Sequence, residues 1–444
     1  MDDIVARVRA AGVVGAGGAG FPTHVKLSGQ ARWAIANGAE CEPLLESDRG
    51  LMTARADEIV RGLEQVASSV GAERKVIAVK EAYTEAIRAL ETASKGSGIE
   101  FHLLGSYYPA GDEQEIVLSV IGRAVPEGGI PLDVGAVVCN VETLLNVRRA
   151  MDGEPVVDTV LTVAGAVRNP MSLSVPIGVS LSDVIALAGG ATEDHCFALL
   201  GGAMMGSVVE DFSKPVTKTT NAILVLPSDH PLKAQMTLSF SKVLQQDRSA
   251  CTQCRQCTDL CPRYLSGHRI EPHRIMRALS HPLSTDAEVI TGALLCSECG
   301  CCELYACPMG LAPKQACAWM KAELTRMKVK PEWEKESARP PAEEKAWRRI
   351  PVKRLTARLG LAPYDRGAPL VEVQVDVDRV SLPLKQHIGA SARPIVQVGD
   401  RVRRGDVIAE IPENAVGARV HASLSGRVSA VVDVIVIEKE SSGD

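Results

Sequence analysis

The sequence predicts a multidomain α/β chain, and three observations carry that prediction. The first third alternates segments of helical and strand period, a later stretch concentrates eight cysteines in two short runs, and the C-terminal part alternates with period two. At 444 residues the chain is long for one compact domain, and with 46% apolar residues it can bury a core in each of two to four.

Taken in order, ADEIVRGLEQVASSVG reads as a helix, KVIAVK as a strand, EAYTEAIRALETASKG as a helix and IEFHLL as a strand, giving an α/β domain over 1–153. From Asp158, DTVLTVAGAVRNPMSLSVPIG reads as two extended runs about an Asn-Pro turn, followed by the helical SLSDVIALAGG, a small α+β module within 154–241. Residues 242–330 carry the two cysteine runs among helical stretches such as EPHRIMRALSHP and PKQACAWMKAELTRM. The charged, proline-bearing PEWEKESARPPAEEKAWRRIP shows no clear apolar face, so 331–367 is expected to be a linker. VEVQVDVDRVSLPL and the segments after it predict a small all-β domain over 368–440.

A net charge of -5 and an aromatic content of 3% lack the basic patch and stacking platform of nucleic-acid binding. No apolar run reaches 18 residues, and MDDIVARVRAAG lacks the order of a secretory signal, so a soluble, cytoplasmic protein is expected. Thirteen cysteines in that compartment point to metal or redox chemistry over disulfides.

Cys251, Cys254, Cys257 and Cys261 stand in CTQCRQCTDLCP, the C-x2-C-x2-C-x3-C-P run of ferredoxins, whose last cysteine reaches the neighbouring cluster. CSECGCCELYACP supplies Cys296, Cys299, Cys302 and Cys307 with one extra residue before the last. Two such runs imply two [4Fe-4S] clusters with crossed ligation. A pair of zinc sites would also suit C-x2-C, but would not explain either Cys-Pro ending. Cys301 could replace Cys302, although Cys302 keeps the spacing; Cys41, Cys139, Cys196, Cys301 and Cys317 read as small packing residues.

Such clusters pass single electrons, so a hydride donor upstream requires a flavin to split the pair. Gly15, Gly17 and Gly20 give a G-x-G-x-x-G spacing, but a helical stretch precedes them and Pro22 follows at once, so an ordinary dinucleotide loop is disfavoured.

GAGGAGFPTHVK resembles the flavin loop of the NADH-binding, FMN-bearing subunit of respiratory complex I and of the C subunit of the Rnf complex. ANGAECEP, YPAGDEQE and CNVETLLNV resemble further flavin-site segments of that superfamily, in the same order. The resemblance implies an FMN pocket of Gly15, Gly17, Gly18, Lys26, Asn37, Glu40, Gly111, Asp112 and Asn140, with Phe21, Glu42 and Glu113 where the family receives NADH. Glu42 and Glu113 are its candidate catalytic acids. Ala39 stands where complex I has an acid, Cys139 replaces an Asn, and Gly29 replaces a second stacking aromatic, changes that touch the nicotinamide site more than the flavin. His24, His102, His268 and His273 read as surface or packing residues.

LTVAGAVRNP with SLSDVIALAGG is similar to the soluble-ligand-binding β-grasp (SLBB) module of the superfamily. The tail resembles the barrel-sandwich hybrid of biotinyl and lipoyl carriers, but no lysine lies between Ile411 and Ala422, so a docking or structural domain is expected instead of a swinging arm. The order of complex I flavin-subunit-like domain, β-grasp module, helical two-cluster ferredoxin-like domain and C-terminal hybrid resembles the cobalamin reductases of propanediol-utilisation microcompartments. That resemblance implies NADH as donor, cobalamin as substrate, a cobalamin adenosyltransferase and a shell protein as partners, and a place inside a bacterial microcompartment. An Rnf-like electron-entry subunit and a non-catalytic electron wire or shell-docking protein are the rival readings.

Overall fold

The computed structural model describes residues 2–281 and 286–440, which leaves Pro282, the last residue of EPHRIMRALSHP, outside. The first domain opens with α1 (Asp2–Ala10) and α2 (Thr23–Leu27), followed by β1 (Trp33–Gly38), α3 (Ser47–Ala54), α4 (Ala56–Val70), β2 (Arg74–Lys80), α5 (Thr84–Ala93) and β3 (Ile99–Leu104). It closes with β4 (Tyr107–Tyr108), α6 (Glu113–Ile121), β5 (Ala136–Asn140) and α7 (Val141–Met151). α4 buries Ile59, Leu63, Val66 and Val70 along one face and stops at Gly71, left-handed at φ 68°. Gly62 lets α4 meet α7, because a Cβ there would lie 2.1 Å from the Leu144 carbonyl oxygen.

The sheet is parallel in the order β3-β2-β1-β5, with Asn37 of β1 opposite Asn140 of β5. Winding reverses across β1, so a crevice opens beyond the carboxyl ends of β1 and β5, where open α/β sheets take their ligands. The glycine-rich segment lies between α1 and α2 with an isolated bridge from Val14 to Pro22, and so is not a strand-to-helix turn.

The second domain carries β6 (Asp158–Gly165), β7 (Met171–Pro176), α8 (Leu181–Leu187), β8 (Cys196–Leu200), β9 (Ser207–Val209) and β10 (Ala222–Pro227). Its sheet runs β7-β6-β10-β8-β9, with β6 and β10 parallel and α8 capped by the Ser180 hydroxyl. The helical domain follows: α9 (Pro231–Met236), α10 (Phe240–Ala250), α11 (Gln256–Asp259), α12 (Pro262–Leu265), α13 (Pro272–Ser280), α14 (Ala287–Thr291) and α15 (Pro313–Arg326). Proline opens α9, α12, α13 and α15, where its missing N–H costs nothing.

The expected linker over 331–367 is instead packed. β11 (Ile350–Pro351) pairs antiparallel with β4, α16 (Val352–Arg358) follows, and Trp333, Ile350, Leu355 and Leu361 are buried. Lys345 Nζ sits 2.6 Å from both carboxylate oxygens of Glu115, tying the segment to α6. Its composition conceals this, because the apolar anchors are too widely spaced to show a period.

The last domain holds β12 (Arg379–Pro383), β13 (Arg393–Pro394), β14 (Arg401–Val402), β15 (Val407–Glu410), β16 (Val420–His421), β17 (Gly426–Val431) and β18 (Val434–Glu438), in sheets β12-β18-β17-β14 and β13-β15-β16. It folds back onto the glycine-rich loop: Ile388 N donates to Ala19 O at 2.8 Å, and buried Lys218 of the second domain bonds Gly12 O at 2.7 Å and Arg419 O at 2.8 Å. Gly20, at φ 71°, lies so close to His387 and Thr219 that a Cβ would come within 2.7 Å of each. The third glycine of the motif therefore serves domain packing. The β15–β16 connection is held at this junction through Arg419, as expected of a docking domain.

Candidate functional site

Two voids in the helical domain sort the cysteines. One, of about 370 Å³, is lined by Cys251, Cys254, Cys257 and Cys307; the other, of about 320 Å³, by Cys261, Cys296, Cys299 and Cys302, with Cys317 beside them. Each void thus draws three thiols from one run and one from the other. Cys261 is the residue before Pro262, in extended conformation at φ -74° and ψ 119°, so the proline-started α12 turns its side chain to the second void. Cys302 lines that void, whereas Cys301 is buried among Leu304, Leu355 and their neighbours. Among the described residues no three His, Cys, Asp or Glu groups converge as a single ion requires. Thiols standing apart around a void suit a cluster better than zinc.

The two voids differ in setting. Cys254 is exposed and Met309 beside it is 50% exposed, whereas Cys261, Cys299 and Cys302 are all buried. The buried void adjoins the first domain: Tyr108 of β4 donates to Cys299 O at 2.7 Å, and Arg263 of α12 grips Asp112 at 2.7 and 2.9 Å.

At the sheet crevice the structure joins most of the expected flavin residues. Asn140 caps α7 by accepting from Glu142 N at 2.7 Å and donates to Asp48 Oδ2 at 2.7 Å; Ala16 N in the glycine-rich loop donates to Thr143 Oγ1 at 2.9 Å. Asn37 donates to Gly111 O at 2.9 Å, and Gly111 is so close to Ala39 that a Cβ would lie 2.2 Å from its carbonyl oxygen. Lys26 Nζ reaches Val138 O at 2.8 Å and Glu113 at 2.9 Å; burial pulls its pKa down, and the Glu113 carboxylate more than reverses this. Gly18 faces open space, a side chain at Gly17 would meet Asn140 and Asn221, and Gly15 lies beside Phe21. Phe21 is 42% exposed at the loop tip. This cradle of bare backbone, amides and one cation fits a flavin phosphate and its hydroxylated chain. Next to it, Gly29 faces Leu132 at 3.2 Å, where the superfamily's second aromatic would stand.

Three expected pocket residues are engaged elsewhere. Glu40 turns to α3, accepting from Ser47 Oγ at 2.9 Å and from the amides of Asp48 and Arg49. Asp112 caps α6 and pairs with Arg263. Glu42, expected beside NADH, accepts from Met204 N and Met205 N at 3.0 Å each, so both its oxygens clamp the β-grasp loop. Spacing could not reveal these partners, because each lies more than 100 residues away or on a helix end formed only in the fold. Asp48, Thr143, Asn221 and Arg263 carried no signal that singled them out.

Burial pushes Glu42 up to about 7 against the pull of those amides and of Lys314. A carboxyl raised in the folded state above its ordinary 4.5 binds more protons folded than unfolded, so this junction loses stability as pH rises from about 4.5 to about 7, then levels. The thermal midpoint of Glu42→Gln is expected to fall less than that of the parent between those pH values; equal slopes would remove Glu42 as the source.

Domain comparisons agree with this anatomy. The Nuo51 FMN-binding domain matches residues 8–149, the SLBB domain 160–208, a 4Fe-4S dicluster domain 250–312 and the RnfC barrel sandwich hybrid domain 367–443. An NAD+-reducing [NiFe]-hydrogenase in its H2-reduced state shares the fold at a TM-score of 0.50 and 21% identity, over 74% of this chain and 63% of that one. Domains and voids together define a flavin and iron-sulfur oxidoreductase built for electron transfer.

The chain is 48% identical over 432 residues to the cobalamin reductase PduS of Salmonella typhimurium strain LT2, covering 97% of this chain and 95% of that protein. It is 45% identical to PduS of Citrobacter freundii over 96% and 94%. It therefore belongs to the PduS cobalamin reductase family. The RnfC-type component of the Na+-translocating ferredoxin:NAD+ oxidoreductase complex of Acetobacterium woodii is 38% identical over 60% of this chain and 58% of that protein. No helix among the described residues is long and apolar enough to cross a membrane.

Proposed function

We propose that this oxidoreductase passes electrons from NADH, by way of FMN and two [4Fe-4S] clusters, to cobalamin, reducing cob(III)alamin to cob(II)alamin and towards cob(I)alamin for coenzyme B12 recycling. The supporting observation is continuity: the sheet crevice and the buried thiol void share one wall, through Tyr108 on Cys299 and Asp112 on Arg263. Bound FMN supplies hydride acceptance and one-electron release, and the clusters supply single-electron transfer.

In this reading Gly15, Gly17 and Gly18 bring bare backbone to the phosphate side, Lys26 offsets its charge, and Asn37 and Asn140 hold hydroxyls and ring edge. Phe21 offers an exposed ring for the nicotinamide, and Glu113, 47% exposed beside Lys26, is the acid nearest that face. Glu42, with both oxygens engaged, positions the β-grasp loop and touches no reacting atom. Cys261, Cys296, Cys299 and Cys302 would hold the cluster next to the flavin. Cys251, Cys254, Cys257 and Cys307 would hold the outer one, from which electrons leave beside exposed Cys254 and Met309. The family relationship supports a microcompartment setting with a cobalamin adenosyltransferase to receive the product and a shell protein to dock on.

The test is an anaerobic absorbance time course of the FMN- and iron-reconstituted chain with NADH and hydroxocobalamin. Cob(II)alamin is expected to form, and Cys254→Ser should abolish it while NADH still bleaches the flavin. Flavin bleaching with the corrin left oxidised would favour an electron-entry subunit serving a protein acceptor. No bleaching would leave the wire reading.

A further inference from the structure

The buried void is lined by five thiols, one more than a cubane needs. The fifth, Cys317, is fully buried on α15, and its side chain hydrogen-bonds that of Cys296. α15 presents Lys314, Cys317 and Lys321 at helical spacing to this site: Lys314 lines the void and bonds Met204 O at 2.8 Å, and Lys321 bonds Cys296 O at 2.8 Å. Glu298 N also points at Cys296 Sγ, at 3.4 Å. The outer void has no fifth thiol in its lining; its sulfurs receive Gln253 Nε2 on Cys251 at 3.2 Å and Leu311 N on Cys307 at 3.4 Å.

We propose that Cys317 is a positioning residue for the buried cluster, donating S–H to the Cys296 sulfur and thereby raising the reduction potential of that cluster alone. The proposal rests on reading the two thiol voids as [4Fe-4S] sites. The physics is direct: reduction adds negative charge to the cluster and its ligand sulfurs, and a donor aimed at one of them favours the more negative state. A helix-borne thiol behind Cys296 also explains why a small, oxidisable side chain occupies a position that an alanine could fill. In the outer site, the donors to sulfur among the described residues are the amide groups of Gln253 and Leu311.

The experiment uses the full chain reconstituted anaerobically with iron, sulfide and FMN, as parent, Cys317→Ala and Cys317→Ser. Iron and sulfide are counted, and both clusters are titrated by dithionite under electron paramagnetic resonance. Cys317→Ala is expected to keep its full iron while one midpoint moves negative by about threefold in the oxidised-to-reduced ratio, about 28 mV at about 59 mV per tenfold for one electron. The other midpoint should stay put. Cys317→Ser keeps a donor and should stay near the parent.

Unmoved midpoints in Cys317→Ala would overturn the proposal while leaving both cluster sites standing. Loss of one cluster in that variant would overturn it differently, by making Cys317 a ligand. A parent that binds no cluster would sink the reading of the voids, and this inference with it.

Discussion

Cys261→Ser is expected to empty the site of Cys296, Cys299 and Cys302 and spare that of Cys251, Cys254 and Cys257, the residues beside it in sequence. The reason is the turn at Pro262, which sends the Cys261 side chain to the buried void lined by the second run. Serine offers no thiolate, and a cubane with three remaining thiolates in a buried, partly apolar setting loses its anchorage. Iron and acid-labile sulfide should fall by about half, and one of the two reduced-cluster resonance signals should disappear. Cys307→Ser is the mirror experiment, and should remove the outer cluster while keeping the one beside the flavin. NADH should still bleach the flavin in both variants, and corrin reduction should fall to background in both, because electrons need the two sites in series. Loss of the same signal in both would refute crossed ligation.

Arg263→Met should be the most destabilising single change outside the thiols. The guanidinium bonds both oxygens of Asp112, and the two side chains are only 10% and 17% exposed. Burial raises the Asp112 pKa, yet Arg263 and the two amides capped by Asp112 hold it below its ordinary value. Removing the arginine strands a carboxylate at the seam between the first domain and the cluster domain, a loss of about 3–5 kcal/mol by the usual behaviour of broken buried pairs. The double change Arg263→Met with Asp112→Asn should recover much of this, since the residual group is then neutral and can still cap α6. Thermal unfolding and iron retention read the effect. A single variant as stable as the parent would mean the seam is held by Tyr108, Lys345 and the apolar contacts around them.

Much of the site was legible in advance where its geometry is local. The thiol spacings predicted which four residues share each void, because a loop closing on a cube of metal fixes its own repeat. α4, β2, α5, β3 and α15 followed from apolar period for the same reason. Resemblance placed Lys26, Asn37, Gly111 and Asn140 around one crevice, where β1 and β5 bring them together. Glu40, Glu42 and Asp112 went otherwise. Each is an acid in a short loop, and what an acid in a loop does depends on which amide or cation folds against it from elsewhere.

The sequence by itself determined the class of each domain, the cysteine pairing between runs and the glycine-rich loop, all properties written over spans of a few to twenty residues. Only the tertiary structure decided that Gly20 makes room for His387, that Glu42 clamps Met204 and Met205, that 331–367 is packed against α6 and β4, and that Cys317 stands behind Cys296. Period and spacing report how a segment folds on itself. Contacts between domains are set by the shape and charge of surfaces that exist only once each domain is complete.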